Sequence, residues 1–318
     1  MAKIEVLPLE AGLPFGARVR GITGETLADP SVGKQLKSVF EDRGVIVFEN
    51  VEPTSQMQLM ISEVFGPLKE HPVKTVERVD REKMPGVITI RTGPEAGIVE
   101  IDGKPLATWQ PWHFDHSYNN ELNRAGVLRA ETVAKEGGLT GFCDGIQVYR
   151  DMDPAIRAKI EGKNLLYNLD LRYSQQRFGL PKNFRELRGK GEELARYAKT
   201  LPNAVHPAVW TCKSGEKVLH MSPYGCRGIE GMEEAEAYAL ASEVWEEVER
   251  VMQTYYHRWH PTDMLIWDNW RTLHKACGCD PAMDRVMHRT TIKGDYGLGR
   301  WQTAPTQNAA AGDAMAMS

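Results

Sequence analysis

Short segments in which apolar residues alternate with small or polar ones recur along the chain, and each has the pattern of a β-strand. Residues 44–48 form a compact apolar run after a glycine, which is typical of a buried strand. The other candidate strands are residues 16–22, 85–90, 127–133, 141–143, 165–173, 217–221, 264–267 and 288–293. Because most of these strands follow one another without an intervening helix, the pattern favours an antiparallel β core over alternating βαβ units.

Helical periodicity is confined to segments near the start and before the end of the chain. Residues 30–42 place Val32, Leu36 and Phe40 on one face, as an amphipathic helix does. The other predicted helices are residues 55–65, 153–161 and 232–257, and residues 175–201 are polar with weak helical character. The strongest of these is residues 232–257, because it is rich in Glu, Ala, Leu and Val.

A turn-rich segment, residues 92–111, leads directly to the first candidate functional residues. Its one apolar stretch, residues 98–101, is followed by Asp102-Gly103, a good hairpin signal. We therefore predict a loop or hairpin that could form part of a lid, since loops on a rigid scaffold commonly carry binding residues.

These elements predict a mainly β fold with flanking helices, and the jelly roll, or double-stranded β-helix, is one such architecture. With 318 residues the chain can bury a large core without a disulfide or a structural metal. We predict one domain over residues 1–302. Residues 303–318 are rich in Ala, Met and Thr without periodicity, and we predict a disordered tail.

Composition narrows the classes of function. The net charge is −4 and no long Lys/Arg run occurs, so the sequence gives no support for a nucleic-acid partner. No apolar run has the length of a membrane span, and the first residues lack the apolar stretch of a signal peptide. Five cysteines, an odd number, favour free thiols in a reducing compartment, so we expect a cytoplasmic protein. The sequence leaves open whether the chain forms a homo-oligomer.

Candidate metal ligands occur in two distant places. His113 and Asp115 are separated by one residue, and alternate residues of a strand project from the same face. His274 would approach from another strand or loop. Two histidines and one carboxylate on one face of a metal leave open positions, which is the arrangement of non-haem Fe(II) oxygenases.

A second group of residues suits a keto acid that chelates such a metal. Arg285 offers a planar fork that matches a carboxylate, and the Thr140 hydroxyl could donate a hydrogen bond to the same group. Arg289 follows Arg285 by four residues, so both would face the same side of a strand.

Each of these residues also has an ordinary structural interpretation. A His-x-Asp pair is common on surfaces, a single histidine is more often hydrogen-bonded than metal-bound, and arginines on a strand often form ion pairs. A zinc hydrolase with the same three ligands and a non-catalytic jelly-roll binding protein are the two competing hypotheses. The order of the motifs, taken together, favours the oxygenase.

Over residues 16–294 the chain resembles the taurine dioxygenase (TauD/TfdA) family of Fe(II)- and 2-oxoglutarate-dependent oxygenases. The matching pieces are residues 44–48, 65–68, 71–73, 112–115, 137–140, 206–207 and 267–269, His274, Arg285 and residues 287–289. One departure is Trp270, which stands where the family usually has Arg.

The resemblance implies a double-stranded β-helix and a set of roles. His113, Asp115 and His274 would bind Fe(II), while Arg285 and Thr140 would hold the distal carboxylate of 2-oxoglutarate. Arg289 would lie by the co-substrate or contact an anionic substrate. The residues expected to meet the substrate are His71, Trp112, His116, Tyr118 and Arg289. The implied reaction uses O₂ to hydroxylate, and in some cases thereby cleave, a small organic molecule, releasing succinate and CO₂.

Overall fold

The computed structural model describes residues 3–69, 77–93, 96–189, 195–196 and 198–304. The α-helices with described bounds are α1 (Gly24–Leu27), α2 (Pro30–Arg43), α3 (Ser55–Phe65), α4 (Gly145–Asp151), α5 (Pro154–Ile160) and α6 (Glu234–Val251). A 3₁₀ turn covers Tyr173–Gln175. Among the described residues, no helix combines the length and the apolar character needed to cross a membrane.

Short strands are the most numerous elements of the described chain. In the first half these are β1 (Glu5–Pro8), β2 (Ala17–Arg20), β3 (Val45–Phe48), β4 (Arg78–Asp80), β5 (Met84–Arg91), β6 (Ile98–Ile101), β7 (Lys104–Ala107), β8 (Gln110–His113), β9 (Ala125–Thr132) and β10 (Thr140–Asp144). In the second half they are β11 (Asn164–Tyr167), β12 (Phe184–Arg188), β13 (Ala204–Pro207), β14 (Val209–Thr211), β15 (Lys217–Leu219), β16 (Cys226–Ile229), β17 (Thr254–His257), β18 (Met264–Asp268), β19 (Thr272–Ala276), β20 (Val286–Ile292) and β21 (Arg300–Trp301).

Two sheets share one apolar core. The major sheet has the order β1-β2-β3-β18-β9-β20-β5-β4, and the minor sheet has the order β17-β10-β19-β8. Val47, Leu128 and Trp267 from the major sheet pack with Phe142 and Tyr255 from the minor sheet. All strand pairs of these sheets are antiparallel except β2 with β3. This packing of two sheets is the predicted double-stranded β-helix.

Helices cover the opposite face of the major sheet. Alternate residues of a strand face opposite sides, so Ile46 and Phe48 of β3 point away from the shared core. They pack against Leu36 of α2 and Ile61 of α3. Both faces of β3 are therefore buried, which explains why its sequence is an unbroken apolar run.

Besides the two-stranded pair of β14 with β15, two smaller sheets are present. One has the order β16-β11-β13-β21 and packs against α6 through Tyr167, Ile229 and Trp245. The other has the order β12-β6-β7. Its β6–β7 connection is the predicted hairpin, since Asp102 and Gly103 both have positive φ angles, 51° and 74°.

Several expectations about individual elements were wrong. Within residues 175–201, predicted as weakly helical, Phe184–Arg188 is a strand that pairs with β6. The helix predicted over residues 232–257 ends at Val251, and Thr254–His257 is a strand. The strand predicted over residues 165–173 ends at Tyr167, and α4 and β16 were not foreseen. Of the predicted tail, residues 305–318 lie outside the described residues.

Candidate metal centre

Strand pairing in the minor sheet brings the two candidate histidine ligands together. His113 ends β8, and its register partner on β19 is His274. The two imidazole ring centroids are 4.1 Å apart. The His113 Nδ1–H donates to the Pro111 carbonyl oxygen at 2.8 Å, which leaves Nε2 with a free lone pair. The His274 ring packs against Trp267, with centroids 4.8 Å apart, and Phe142, with centroids 6.2 Å apart.

Asp115 is the third candidate ligand, and it lies in a turn after β8. The sequence predicted that His113 and Asp115 project from one strand, whereas β8 ends at His113. Phe114 then turns away and stacks on His220, with centroids 3.9 Å apart. One candidate ligand atom from each of His113, Asp115 and His274 lies within 4.8 Å of the other two. All three residues are buried.

The electrostatics of the three residues suit a divalent metal. Burial lowers the pKa of both His113 and His274, which keeps the imidazoles neutral and their lone pairs available. Burial alone would raise the pKa of Asp115, but the charge of Arg289 holds that pKa well below its usual range. Two neutral imidazoles and one ionised carboxylate form a donor set that fits Fe(II) and also Zn(II).

Arg285 lines a small, partly enclosed cavity. The cavity has a volume of about 110 Å³ and is lined in part by Gly137, Gly138, Trp259 and Arg285. Arg285 is 5% exposed, and its Nη2–H donates to the Gly138 carbonyl oxygen at 3.3 Å. Among the described residues, no acidic side chain forms an ion pair with Arg285. Burial lowers its pKa, and only Cys279 and Cys277 oppose that effect.

Thr140 and Gly138 each contact a residue that lines the Arg285 cavity. The Thr140 hydroxyl oxygen accepts a hydrogen bond of 3.0 Å from the Trp259 indole, one of the residues that line the cavity. Gly138 has a φ of +66°, and a Cβ there would lie 3.0 Å from the Arg285 Nε. Glycine at this position therefore permits the close approach of the guanidinium.

Arg289 makes a contact that the sequence did not predict. Its guanidinium donates two hydrogen bonds to the Asp115 carboxylate, at 3.0 and 2.7 Å. The same guanidinium lies 5.5 Å from the centre of the Trp267 ring. In this structure Arg289 is thus the counterion of a candidate metal ligand.

The family model described as "Taurine catabolism dioxygenase TauD, TfdA family" matches residues 5–291. The chain belongs to the TauD/TfdA family.

Two curated members of the TauD/TfdA family are similar over most of their length. The (S)-phenoxypropionate/alpha-ketoglutarate-dioxygenase of Sphingobium herbicidovorans is 28% identical over 92% of this chain and 95% of its own length. The alpha-ketoglutarate-dependent 2,4-dichlorophenoxyacetate dioxygenase of Cupriavidus pinatubonensis is 25% identical over 88% of this chain and 95% of its own length. Alpha-ketoglutarate is another name for 2-oxoglutarate.

A solved structure supports the fold. A taurine dioxygenase from Burkholderia xenovorans superposes with a TM-score of 0.69 at 23% identity, covering 99% of both chains. These findings confirm the predicted jelly-roll fold and the predicted class, a 2-oxoglutarate-dependent dioxygenase that acts on a small organic molecule.

The residues predicted to meet the substrate do not all lie together in this TauD/TfdA member. Trp112 precedes His113 in β8 and faces the other side, where its ring lies 6.3 Å from Tyr256. His116 has a positive φ of 58°, and its ring lies 5.9 Å from that of Tyr118. Burial and the charge of Asp115 raise the pKa of Tyr118. His71 lies outside the described residues.

Sequence reasoning assigned no role to Trp259 or Tyr224. The Tyr224 ring meets the His113 ring edge-on at 5.8 Å and lies 6.1 Å from Tyr173. Tyr173 in turn contacts Trp109 at 5.6 Å. No local pattern distinguishes these rings from core residues, because their positions depend on contacts between distant segments.

Proposed function

We propose that His113, Asp115 and His274 hold Fe(II), and that Arg285 and Thr140 bind the distal carboxylate of 2-oxoglutarate. The observation that carries this proposal is the buried Arg285, which has no acidic partner in the described part of the chain. An isolated buried charge is costly, so a carboxylate from a bound molecule is the partner that such a site requires. A zinc hydrolase would need the three metal ligands but not this arginine pocket.

When bound, the iron would supply the redox chemistry that couples the conversion of 2-oxoglutarate and O₂ to succinate and CO₂ with oxidation of the substrate. The residues of the protein would bind the iron, exclude water and keep the ligand carboxylate ionised. The imidazoles of His113 and His274 and the carboxylate of Asp115 would hold the metal, and three protein ligands would leave positions free for the co-substrate and O₂. Phe142 and Trp267 enclose His274 and keep water from that side. Arg289 keeps the Asp115 carboxylate ionised.

We further propose that the substrate is a small aryloxy carboxylate. The relatives named above act, by their names, on phenoxypropionate and on 2,4-dichlorophenoxyacetate. In this chain the rings of Tyr224, Tyr173 and Trp109 form a continuous aromatic series that begins beside His113. Such a series suits the flat apolar face of an aryl group.

The test is substrate-dependent succinate formation by the purified protein with Fe(II), 2-oxoglutarate and O₂. A panel would pair each aryloxy carboxylate with its neutral amide, and we expect turnover of the acids to exceed that of the amides. His274→Ala should abolish succinate formation. If fully Fe(II)-loaded protein forms no succinate while the Zn(II)-loaded protein hydrolyses esters, the zinc hydrolase is the correct assignment.

The compartment and the assembly state are also proposals. The five cysteines are free, which supports a reducing, cytoplasmic location. Cell fractionation checks the location. Size-exclusion chromatography with light scattering determines whether the chain is a monomer or a homo-oligomer.

A further inference from the structure

We propose that Asn269 is a positioning residue that sets the place of the Asp115 carboxylate. Its side-chain oxygen accepts a hydrogen bond of 2.7 Å from the Asp115 N–H. Its side-chain N–H donates to the Asp115 carbonyl oxygen at 3.0 Å. The side-chain amide of Asn269 thus bonds to both the N–H and the carbonyl oxygen of Asp115, a candidate metal ligand. This inference rests on the proposed function only in requiring that His113, Asp115 and His274 bind a metal.

The orientation of the Asn269 amide is unambiguous. An amide oxygen and nitrogen are often hard to tell apart, but here the partners are a peptide N–H and a peptide carbonyl, which fix the assignment. The same side-chain nitrogen also donates to the Asn123 carbonyl oxygen and to the Asn123 side-chain oxygen, each at 3.2 Å. Asn269 is 0% exposed, so no water competes for these bonds.

Asp115 needs this support because it lies outside the regular sheet. The pairing of β8 with β19 fixes His113 and His274 directly. β8 ends at His113, and the next residue after Asp115, His116, has the left-handed φ of 58°. A non-glycine residue in that conformation costs on the order of 1 kcal/mol, so the turn requires contacts that hold it.

His220 supports the same turn from a second direction. Its Nε2–H donates to the Asn269 carbonyl oxygen at 2.9 Å, and its ring stacks on Phe114. Burial lowers the pKa of His220 to about 3, so this ring is neutral at ordinary pH. Residues 114 and 115 are therefore held between the His220 ring and the Asn269 amide.

Asn269 also connects the two ligand-bearing segments. It follows β18 directly and precedes His274 by five residues, while its backbone N–H donates to the Arg124 carbonyl oxygen at 3.0 Å. A shift of the β18–β19 connection would therefore move Asp115 together with His274. Residues that orient a ligand in this way typically change metal affinity 10- to 100-fold when they are substituted.

The test compares the Mn(II) dissociation constant of the wild-type protein with that of Asn269→Ala, measured anaerobically by calorimetry. The matched control is Gln147→Ala. Gln147 is also 0% exposed, and its amide accepts from the Gln253 N–H and donates to the Val251 carbonyl oxygen, on elements that carry no candidate ligand. We expect both variants to lose thermal stability, and only Asn269→Ala to bind Mn(II) at least about 10-fold more weakly.

Asn269→Asp covers the case in which the alanine variant does not fold. It keeps the shape and the oxygen that accepts from Asp115, and it loses the donated bonds, so we expect weaker Mn(II) binding in a folded protein. The inference is overturned if a folded Asn269 variant binds Mn(II) within about twofold of wild type, or if Gln147→Ala weakens binding equally. If the wild-type protein itself does not bind Mn(II), the proposed function fails instead.

Discussion

At the residue scale, three largely buried arginines fall into two kinds. Arg271 donates two hydrogen bonds to the buried Asp144, and Arg289 does the same to Asp115. Within the described part of the chain, Arg285 has only a long hydrogen bond to a peptide carbonyl oxygen. A paired buried charge contributes to folding only through its partner, and an unpaired one opposes folding.

This difference predicts opposite effects of the same substitution. Arg285→Met removes an uncompensated buried charge, so in the absence of 2-oxoglutarate its Tm should equal or exceed that of wild type. The same variant should lose the rise in Tm that 2-oxoglutarate gives the Mn(II)-loaded wild-type protein. Arg271→Met, the control, should lower the Tm because it leaves Asp144 buried without a partner. Thermal melts provide the measurement. The proposed role of Arg285 in binding 2-oxoglutarate is contradicted if both variants have a lower Tm than wild type and 2-oxoglutarate still raises the Tm of Arg285→Met.

His206 predicts a specific weakening of the fold in acid. Burial lowers its pKa from the usual 6.5 to about 4. The unfolded chain therefore binds a proton below pH 6.5 that the folded chain does not bind until about pH 4. As the pH falls from 6.5 to about 4, His206 should reduce the free energy of unfolding by about 1.4 kcal/mol per pH unit. Above pH 6.5 the stability that depends on a neutral His206 is fully present.

Urea unfolding of His206→Gln at a series of pH values checks this expectation. The variant should show a shallower loss of stability than wild type between pH 6.5 and 4. The exposed His260→Gln is the control and should follow wild type. Parallel curves for wild type and His206→Gln would show that His206 is not responsible.

At the scale of the element, α2 shows how local sequence sets a boundary. It begins after Asp29, whose side chain accepts from the Ser31 N–H, and has Pro30 in its first turn. It ends at Gly44, which has a φ of +72°. A Cβ at Gly44 would lie 3.2 Å from the Arg271 Nε. Both the backbone conformation and the neighbouring side chain therefore require glycine.

Two glycine substitutions in and beside this helix should have opposite signs. Gly44→Ala should lower the free energy of unfolding by about 1–2 kcal/mol, because alanine is strained at this φ and crowds Arg271. Gly33→Ala should raise it by up to about 1 kcal/mol, because Gly33 lies inside α2 and its new methyl group would come no closer than 3.9 Å to Val64. Denaturant titrations measure both values. A stabilised Gly44→Ala variant would show that the left-handed conformation is not required.

Sequence patterns predicted elements with strong local signals and failed where distant contacts decide. α2, α3 and β3 were correct because capping residues and continuous apolar faces define them. β12 was read as weakly helical because Phe184–Arg188 is a polar strand whose partner, β6, lies more than 80 residues earlier. α6 was extended past Val251 because no glycine or proline marks its end. Just beyond the end of α6, the Gln253 N–H donates to the side-chain oxygen of Gln147, a distant residue.

The same division applies to the candidate site. His113, Asp115, His274 and Arg285 could be found from residue type and order alone. The contact between Arg289 and Asp115 could not, because it joins segments 174 residues apart. The hydrogen bond between Asn269 and Asp115 could not be predicted from the sequence either, because it also joins distant segments.

At the scale of the whole molecule, a metal that binds the folded chain and not the unfolded one must stabilise the entire fold. Mn(II) at about 100 times its dissociation constant should raise the free energy of unfolding by about 2.7 kcal/mol. Chelation with EDTA should reverse the effect. His274→Ala should show no such rise, and an equal rise in that variant would indicate metal binding elsewhere. Denaturant titrations with and without Mn(II) provide the measurement.

The pairing of His113 with His274 also has a consequence for how the protein matures in the cell. The two residues are 161 positions apart, yet they are register partners on adjacent strands. At a synthesis rate of about 5–20 residues per second, His113 is synthesised roughly 8–32 s before His274. A nascent chain that does not yet reach His274 therefore cannot assemble the three-residue centre. A metal would enter this centre only late in synthesis or afterwards, once β8 and β19 have paired.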